Sequence, residues 1–187
     1  MTLKYRLIRD FAVLALLFQL IHLIEHAAQL GYWFANPSHR PWLTPWAEAG
    51  RDALAVDGMA GTGNEILHLI GNLIFFAGLL ALAALAQHAG SNQGDIGYRG
   101  QALYVQGFHV GEHVLLTGSY LIWGTPLGFT TLFGAASGPF GSTLRVWAHF
   151  TLNMVATYYA GRAVLAIRWQ RSIVSRSRVR ARSAPDR

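Results

Sequence analysis

The sequence predicts an all-α protein, a polytopic membrane four-helix bundle made of two parallel-duplicated helical hairpins. Three observations predict it. Four apolar segments are each long enough to cross a bilayer, which takes about 20 mostly apolar residues. Basic residues gather at the two ends of the chain. A five-residue pattern, H-x-x-E-H, occurs twice within apolar segments, as His22-Leu23-Ile24-Glu25-His26 and as His109-Val110-Gly111-Glu112-His113. The composition agrees: 52% of residues are hydrophobic and only 13% charged, against about 25% charged in a soluble domain.

The elements follow in order. Residues 9–34 form the first span. Its apolar stretch exceeds the roughly 7–15 residues of a signal-peptide core, and it carries Glu25 and two histidines where a leader would carry a small-residue cleavage site. Residues 35–61 form a connection broken by Pro37, Pro41 and Pro45. Trp42 and Trp46 suit the membrane interface there, and a short amphipathic helix is expected over 46–56. The second span covers 62–87 and a short polar link covers 88–100. The third span runs over 101–123. The Gly-rich stretch 124–143, with Phe129, Phe133 and Phe140, is expected to fold back as a cap. The fourth span covers 144–168. Residues 1–170 thus make one membrane domain, with repeat one at about 9–87 and repeat two at about 101–168. The basic tail 171–187 is expected to be disordered.

Orientation follows from the basic residues. Lys4, Arg6 and Arg9 precede the first span, and Arg168, Arg171, Arg176, Arg178, Arg180, Arg182 and Arg187 lie at or beyond the end of the last. By the positive-inside rule both termini are cytoplasmic, and the connections 35–61 and 124–143 face outward. The same bias accounts for the net charge of +6 without a nucleic-acid partner. The expected partner is the lipid bilayer, whose anionic headgroups attract such a tail. The sequence specifies no partner subunit.

The motifs carry the chemistry. Each H-x-x-E-H has a Gln three residues upstream, Gln19 and Gln106, and each is followed by H-x-x-x-N, His68 with Asn72 and His149 with Asn153. The offsets are 87 residues for the first motif and 81 for the second, as expected of an internal duplication. Positions i, i+3 and i+4 share a helix face, so His22, Glu25 and His26 project together, as do His109, Glu112 and His113. At 1.5 Å per residue, both motifs and the returning His68 and His149 fall in the outer half of a core about 30 Å thick. Charged side chains at such depths cost roughly 2.5 kcal/mol or more each, and the same positions are polar in both halves. A metal centre is the expected reason.

With no Cys in the chain, thiolate sites and disulfides are excluded. The expected ligands are His22, Glu25, His26 and His68 for one ion and His109, Glu112, His113 and His149 for a second, or the same sets with His68 and His149 exchanged across the pseudo-twofold. Glu25 and Glu112 are expected to bridge the two ions, as inward-facing carboxylates do in soluble di-iron bundles. Gln19, Asn72, Gln106 and Asn153 are expected to orient the imidazoles. Iron suits this donor set best, with zinc or copper as alternatives. The expected function is a membrane oxidoreductase with a dinuclear non-haem centre and a lipid-soluble or small-molecule substrate. A haem-binding electron carrier and a metal transporter or sensor are the alternatives. H-x-x-E-H is also a zinc-peptidase signature, but one protease site has no use for the motif twice.

Other polar residues receive plainer readings. Glu65 with His68 spells E-x-x-H, but its counterpart 81 residues on is Val146, so Glu65 is expected near the surface. Arg145 and Arg162 are expected at the interface, His39 and His88 in solvent, and Tyr158 and Tyr159 as packing residues.

Overall fold

The computed structural model describes residues 3–36, 43–56, 58–88, 93–136 and 138–182. Among them are six helices: α1 (Leu3–Ala35), α2 (Pro45–Ala53), α3 (Ala60–His88), α4 (Gln93–Trp123), a 3-10 helix (Phe129–Gly134) and α5 (Gly138–Arg182). The protein is all-helical. The four long helices contain the four predicted apolar segments, and α5 continues to Arg182 through most of the basic segment expected to lack order. His39 lies outside the described residues.

Within the described residues, α1 and α3 are long and apolar enough to cross a bilayer, with mean hydropathies of 1.9 and 2.3 over their most apolar windows. The other two long helices are more polar. In α4, Gln106, His109, Glu112, His113, Thr117 and Ser119 lower the average, yet all six are buried inside the protein.

The long helices close into a ring. α1 lies on α3, α3 on α4, α4 on α5, and α5 returns to α1. One hairpin is α1 with α3 and the other is α4 with α5. Small residues set the spacing where backbones meet. A Cβ on Gly78 would sit 2.4 Å from the Ala15 Cβ, so only glycine permits this approach of α1 to α3. Phe75, Leu79, Ala102, Ala156 and Ala160 form the apolar core between α3, α4 and α5.

The distribution of polarity runs from inside to outside in reverse of a soluble bundle. Gln19, Asn72, Gln106, His109, His113 and Asn153 are at most 1% exposed. Leu14, Ile21, Ile24, Val114, Ile122 and Leu165 are each about half exposed or more. The α1 face that packs inward is made of Ala12, Ala15, Gln19, His26 and Gln29, while its leucines and isoleucines mostly face out.

The connection after α1 holds the short helix the sequence predicts, shifted to 45–53 by its N-terminal signals. Thr44 caps it by accepting from the Ala47 N–H, and Pro45 occupies the first turn, where its missing N–H costs nothing. The start of α3 passes close beneath α2, and a Cβ on Gly63 would fall 1.9 Å from the Arg51 carbonyl oxygen. α2 thereby covers the end of α3 that leads to His68.

The Gly78 contact yields a direct test. Gly78→Ala should destabilise the detergent-solubilised protein by about 1–3 kcal/mol, the usual cost of overpacking. An alanine at Gly111 meets nothing within 4 Å and should be neutral or gain up to about 1 kcal/mol from helix propensity. Thermal unfolding midpoints that move together for the two variants would refute the close approach.

Candidate metal centre

Two histidine groups occupy the middle of the bundle. His22, His26 and His68 offer nitrogens that all lie within 4.8 Å of one another, and His109, His113 and His149 do the same. Each group takes two imidazoles one turn apart on the first helix of a hairpin and one from the returning helix. His68 therefore joins the motif of its own hairpin, and His149 joins the other.

In His26, His68 and His149 a hydrogen bond on the far side of the ring fixes which nitrogen is free, whereas Nδ1 of His109 and of His113 is buried without a partner. His68 Nδ1 lies 2.8 Å from the Asn64 carbonyl oxygen, and His149 Nδ1 lies 3.1 Å from that of Arg145. A carbonyl only accepts, so each Nδ1 carries the proton. In a neutral ring this leaves the Nε2 lone pair pointing into the group. His26 Nδ1 is held in the same way by Gln29 Oε1 at 3.1 Å.

The Nε2 atoms converge. His22 and His26 approach to 3.2 Å, His109 and His113 to 3.2 Å, and His113 and His149 to 2.9 Å. Two ligand nitrogens on a tetrahedral ion at about 2.0–2.1 Å are about 3.3 Å apart. The spacing thus matches cis ligands on one ion. The two groups also abut: the His68 ring stacks on His113 with centroids 5.5 Å apart, and His26 lies 6.3 Å from His149.

One turn below, the amides form two cross-links. Gln19 donates to Asn153 Oδ1 at 2.8 Å, and Gln106 donates to Asn72 Oδ1 at 2.8 Å. The sequence expects these four residues to orient imidazoles. Instead they bond chiefly to one another, each pair tying one hairpin to the other. Asn72 and Asn153 do donate to the carbonyls of His68 and His149, each at 2.9 Å, so they hold the backbone that carries the ligands.

The carboxylates stand outside both groups. Glu25 accepts from the Thr44 N–H at 3.1 Å, from the Thr44 hydroxyl at 2.5 Å and from Gln29 Nε2 at 3.2 Å. Glu112 accepts from the Phe129 N–H at 2.9 Å, the Thr130 N–H at 2.8 Å and the Thr130 hydroxyl at 2.7 Å. The bridging position that the sequence assigns to Glu25 and Glu112 is therefore not the one they take. A buried carboxylate needs several donors, and in each hairpin the connection between its two long helices supplies a backbone N–H and a hydroxyl from one threonine. The 3-10 helix so held includes Leu132 and Phe133 at φ 48° and 51°, a strained conformation for such residues. This stretch is the cap that the sequence expects from 124–143, in part.

Glu65 departs from its expected surface position. It is 2% exposed and its carboxylate holds the Arg145 guanidinium across the bundle. The pair lies one turn from His68 and His149. The contacts of Glu65 run to Arg145 on α5 and, through its carbonyl, to Thr117 on α4, which the local sequence does not reveal. His88 stacks on Tyr5 with centroids 3.8 Å apart, far from either group. Arg162 meets the Tyr98 hydroxyl at 2.9 Å and the Tyr158 hydroxyl at 3.0 Å. Three contributors went unread in the sequence: Gln29, Thr44 and Thr130. Gln29 had a signal, since it shares a helix face with Glu25 and His26. Thr130 had none, because its partner is 18 residues away through irregular chain.

Residues 2–186 match a family described as "Family of unknown function (DUF6008)", and the chain belongs to that family. No curated protein and no solved structure matches it.

The three donors on Glu112 predict a local effect. Glu112→Ala should raise hydrogen exchange at the Phe129 and Thr130 amides by about tenfold or more, as expected when a charged hydrogen bond of about 1.5–3 kcal/mol is lost. Amides in the middle of α3 should be unaffected. Unchanged exchange at 129 and 130 would show that the carboxylate does not hold the loop.

Proposed function

We propose that this family member is a multi-pass membrane metalloprotein, an oxidoreductase with two non-haem metal ions, each bound by three imidazoles. His22, His26 and His68 take one ion, and His109, His113 and His149 the other. The convergence of Nε2 atoms, with the Nδ1 protons of His26, His68 and His149 given to carbonyl acceptors, carries the reading. Hydrogen-bonded helix packing alone would not need six imidazoles at one level. Glu25 and Glu112 brace the outer connections beside the ions, so the donor set becomes nitrogen only. That shifts the preferred ion from iron toward copper, with zinc as the redox-silent alternative.

All four long helices cross the membrane in this reading, with both termini cytoplasmic. The exposed leucines, isoleucines and aromatics of α4 and α5, around a buried polar interior, support it, since lipid accepts such a surface and water does not. The matched contacts of the two hairpins support an internal duplication: the Gln–Asn links, the threonine-held glutamates and the trios correspond pairwise. Crowding argues against haem, because imidazole centroids 4.5–6.3 Å apart leave no slot for a macrocycle.

Elemental analysis of the purified protein should find two metal ions per chain. His68→Ala and His149→Ala should each reduce this by about one, and His88→Ala should not. A Soret band, or stoichiometry untouched by either ligand substitution, would overturn the assignment.

Topology has its own test. The chain lacks cysteine, so single cysteines report unambiguously. Glu48→Cys should react with an impermeant maleimide added to intact cells, and Ser183→Cys only after lysis. The reverse pattern would invert the orientation, and equal reaction of both in intact cells would remove the even number of crossings.

A further inference from the structure

The two trios differ in access. His109 and His113 are 0% exposed and His149 is buried, whereas His22 and His68 are only partly covered. Beside these two lies a cavity of about 150 Å³ between α1, α2 and α3, walled by Phe18, Ile21, Trp46 and Leu67. We infer that the first trio is the working site, and that it binds a small neutral ring-sized group of a lipophilic molecule in this cavity. The inference rests on reading the trios as metal sites.

The cavity's size and lining select the ligand class. An apolar cavity of about 150 Å³ accepts a molecule the size of benzene. Glu25 reaches the wall, but its carboxylate already accepts from Thr44 and Gln29. No other charged side chain lines the cavity and most of its wall is apolar, so the part of a ligand that it selects is neutral and apolar. A neutral ring bearing one oxygen or nitrogen fits: the ring meets the apolar wall, and the heteroatom meets an ion held by His22, His26 and His68. Three protein ligands leave such an ion a position for it. Phe18 and Ile21 are 39% and 60% exposed on the lipid-facing side of α1, so the route in is lateral, from the bilayer.

Gly71 helps to make the space. It lies on the cavity wall, and its added Cβ would meet only Phe18, at 3.4 Å. At the offset that carries His68 onto His149, its counterpart is Leu152. The second hairpin has a leucine where the first has a hydrogen atom.

The test uses full-length protein in detergent loaded with cobalt(II), whose visible absorption reports coordination number. With 4-methylphenol as probe, one of the two cobalt ions should respond, saturably, giving about half the change expected if both did. Gly71→Leu and, separately, Leu67→Trp should retain two cobalt ions per chain and lose the phenol response at least tenfold in affinity. Two bound cobalt ions with no phenol response, or with an equal response from both, would overturn this inference and leave the metal reading standing. A response that survives both plugging substitutions would overturn it too. Failure to bind cobalt stoichiometrically would overturn both.

Discussion

A polar group inside this bundle is costly unless it finds a partner inside the bundle, and nearly all of them do. An unpaired buried amide or hydroxyl costs roughly 1–3 kcal/mol on mutational scales, and a charge far more. The interior holds imidazoles, carboxylates, amides and a guanidinium in consecutive layers. Each layer fixes the geometry of the next. The amide pairs Gln19–Asn153 and Gln106–Asn72 set the register between hairpins. The asparagines hold the carbonyls of His68 and His149. The Glu65–Arg145 pair then closes the layer above.

These contacts divide the labour between and within hairpins. Each histidine trio lies within one hairpin, so its spacing depends on how that hairpin packs. The Gln–Asn links and the Glu65–Arg145 pair run between hairpins, so they set how the trios face one another. The result is six imidazoles in one continuous group, with rings of the two trios as close as 5.5 Å. Ions placed in both would interact electrostatically across this short distance.

The connections within the two hairpins are ordered by the same need for partners. Glu25 takes the backbone N–H and hydroxyl of Thr44, and Glu112 takes those of Thr130. The second arrangement holds a strained 3-10 segment whose Leu132 and Phe133 are more than half exposed. The first anchors α2 over the start of α3 and so shapes the cavity beside His22. The two hairpins thus differ chiefly in what covers them, one enclosing its histidines and the other leaving a space.

Much of this was legible in the sequence because it rests on period and repetition. Helical spacing put His22 with His26 and His109 with His113 on shared faces, and depth counted from the span ends brought His68 and His149 to the same level. The length of the apolar runs likewise located the four long helices, to within two residues at four of their eight ends, while the other ends continue six or more residues into polar sequence. The roles of the polar side chains were decided only in three dimensions. Glu25 and Glu112 fit a metal bridge by their spacing, but loop donors 19 and 18 residues on claimed them. Glu65 had no repeat partner to mark it, and Arg145 is 80 residues away. A side chain's face follows from the helix it belongs to, whereas its partner depends on which distant segment arrives beside it with a spare donor.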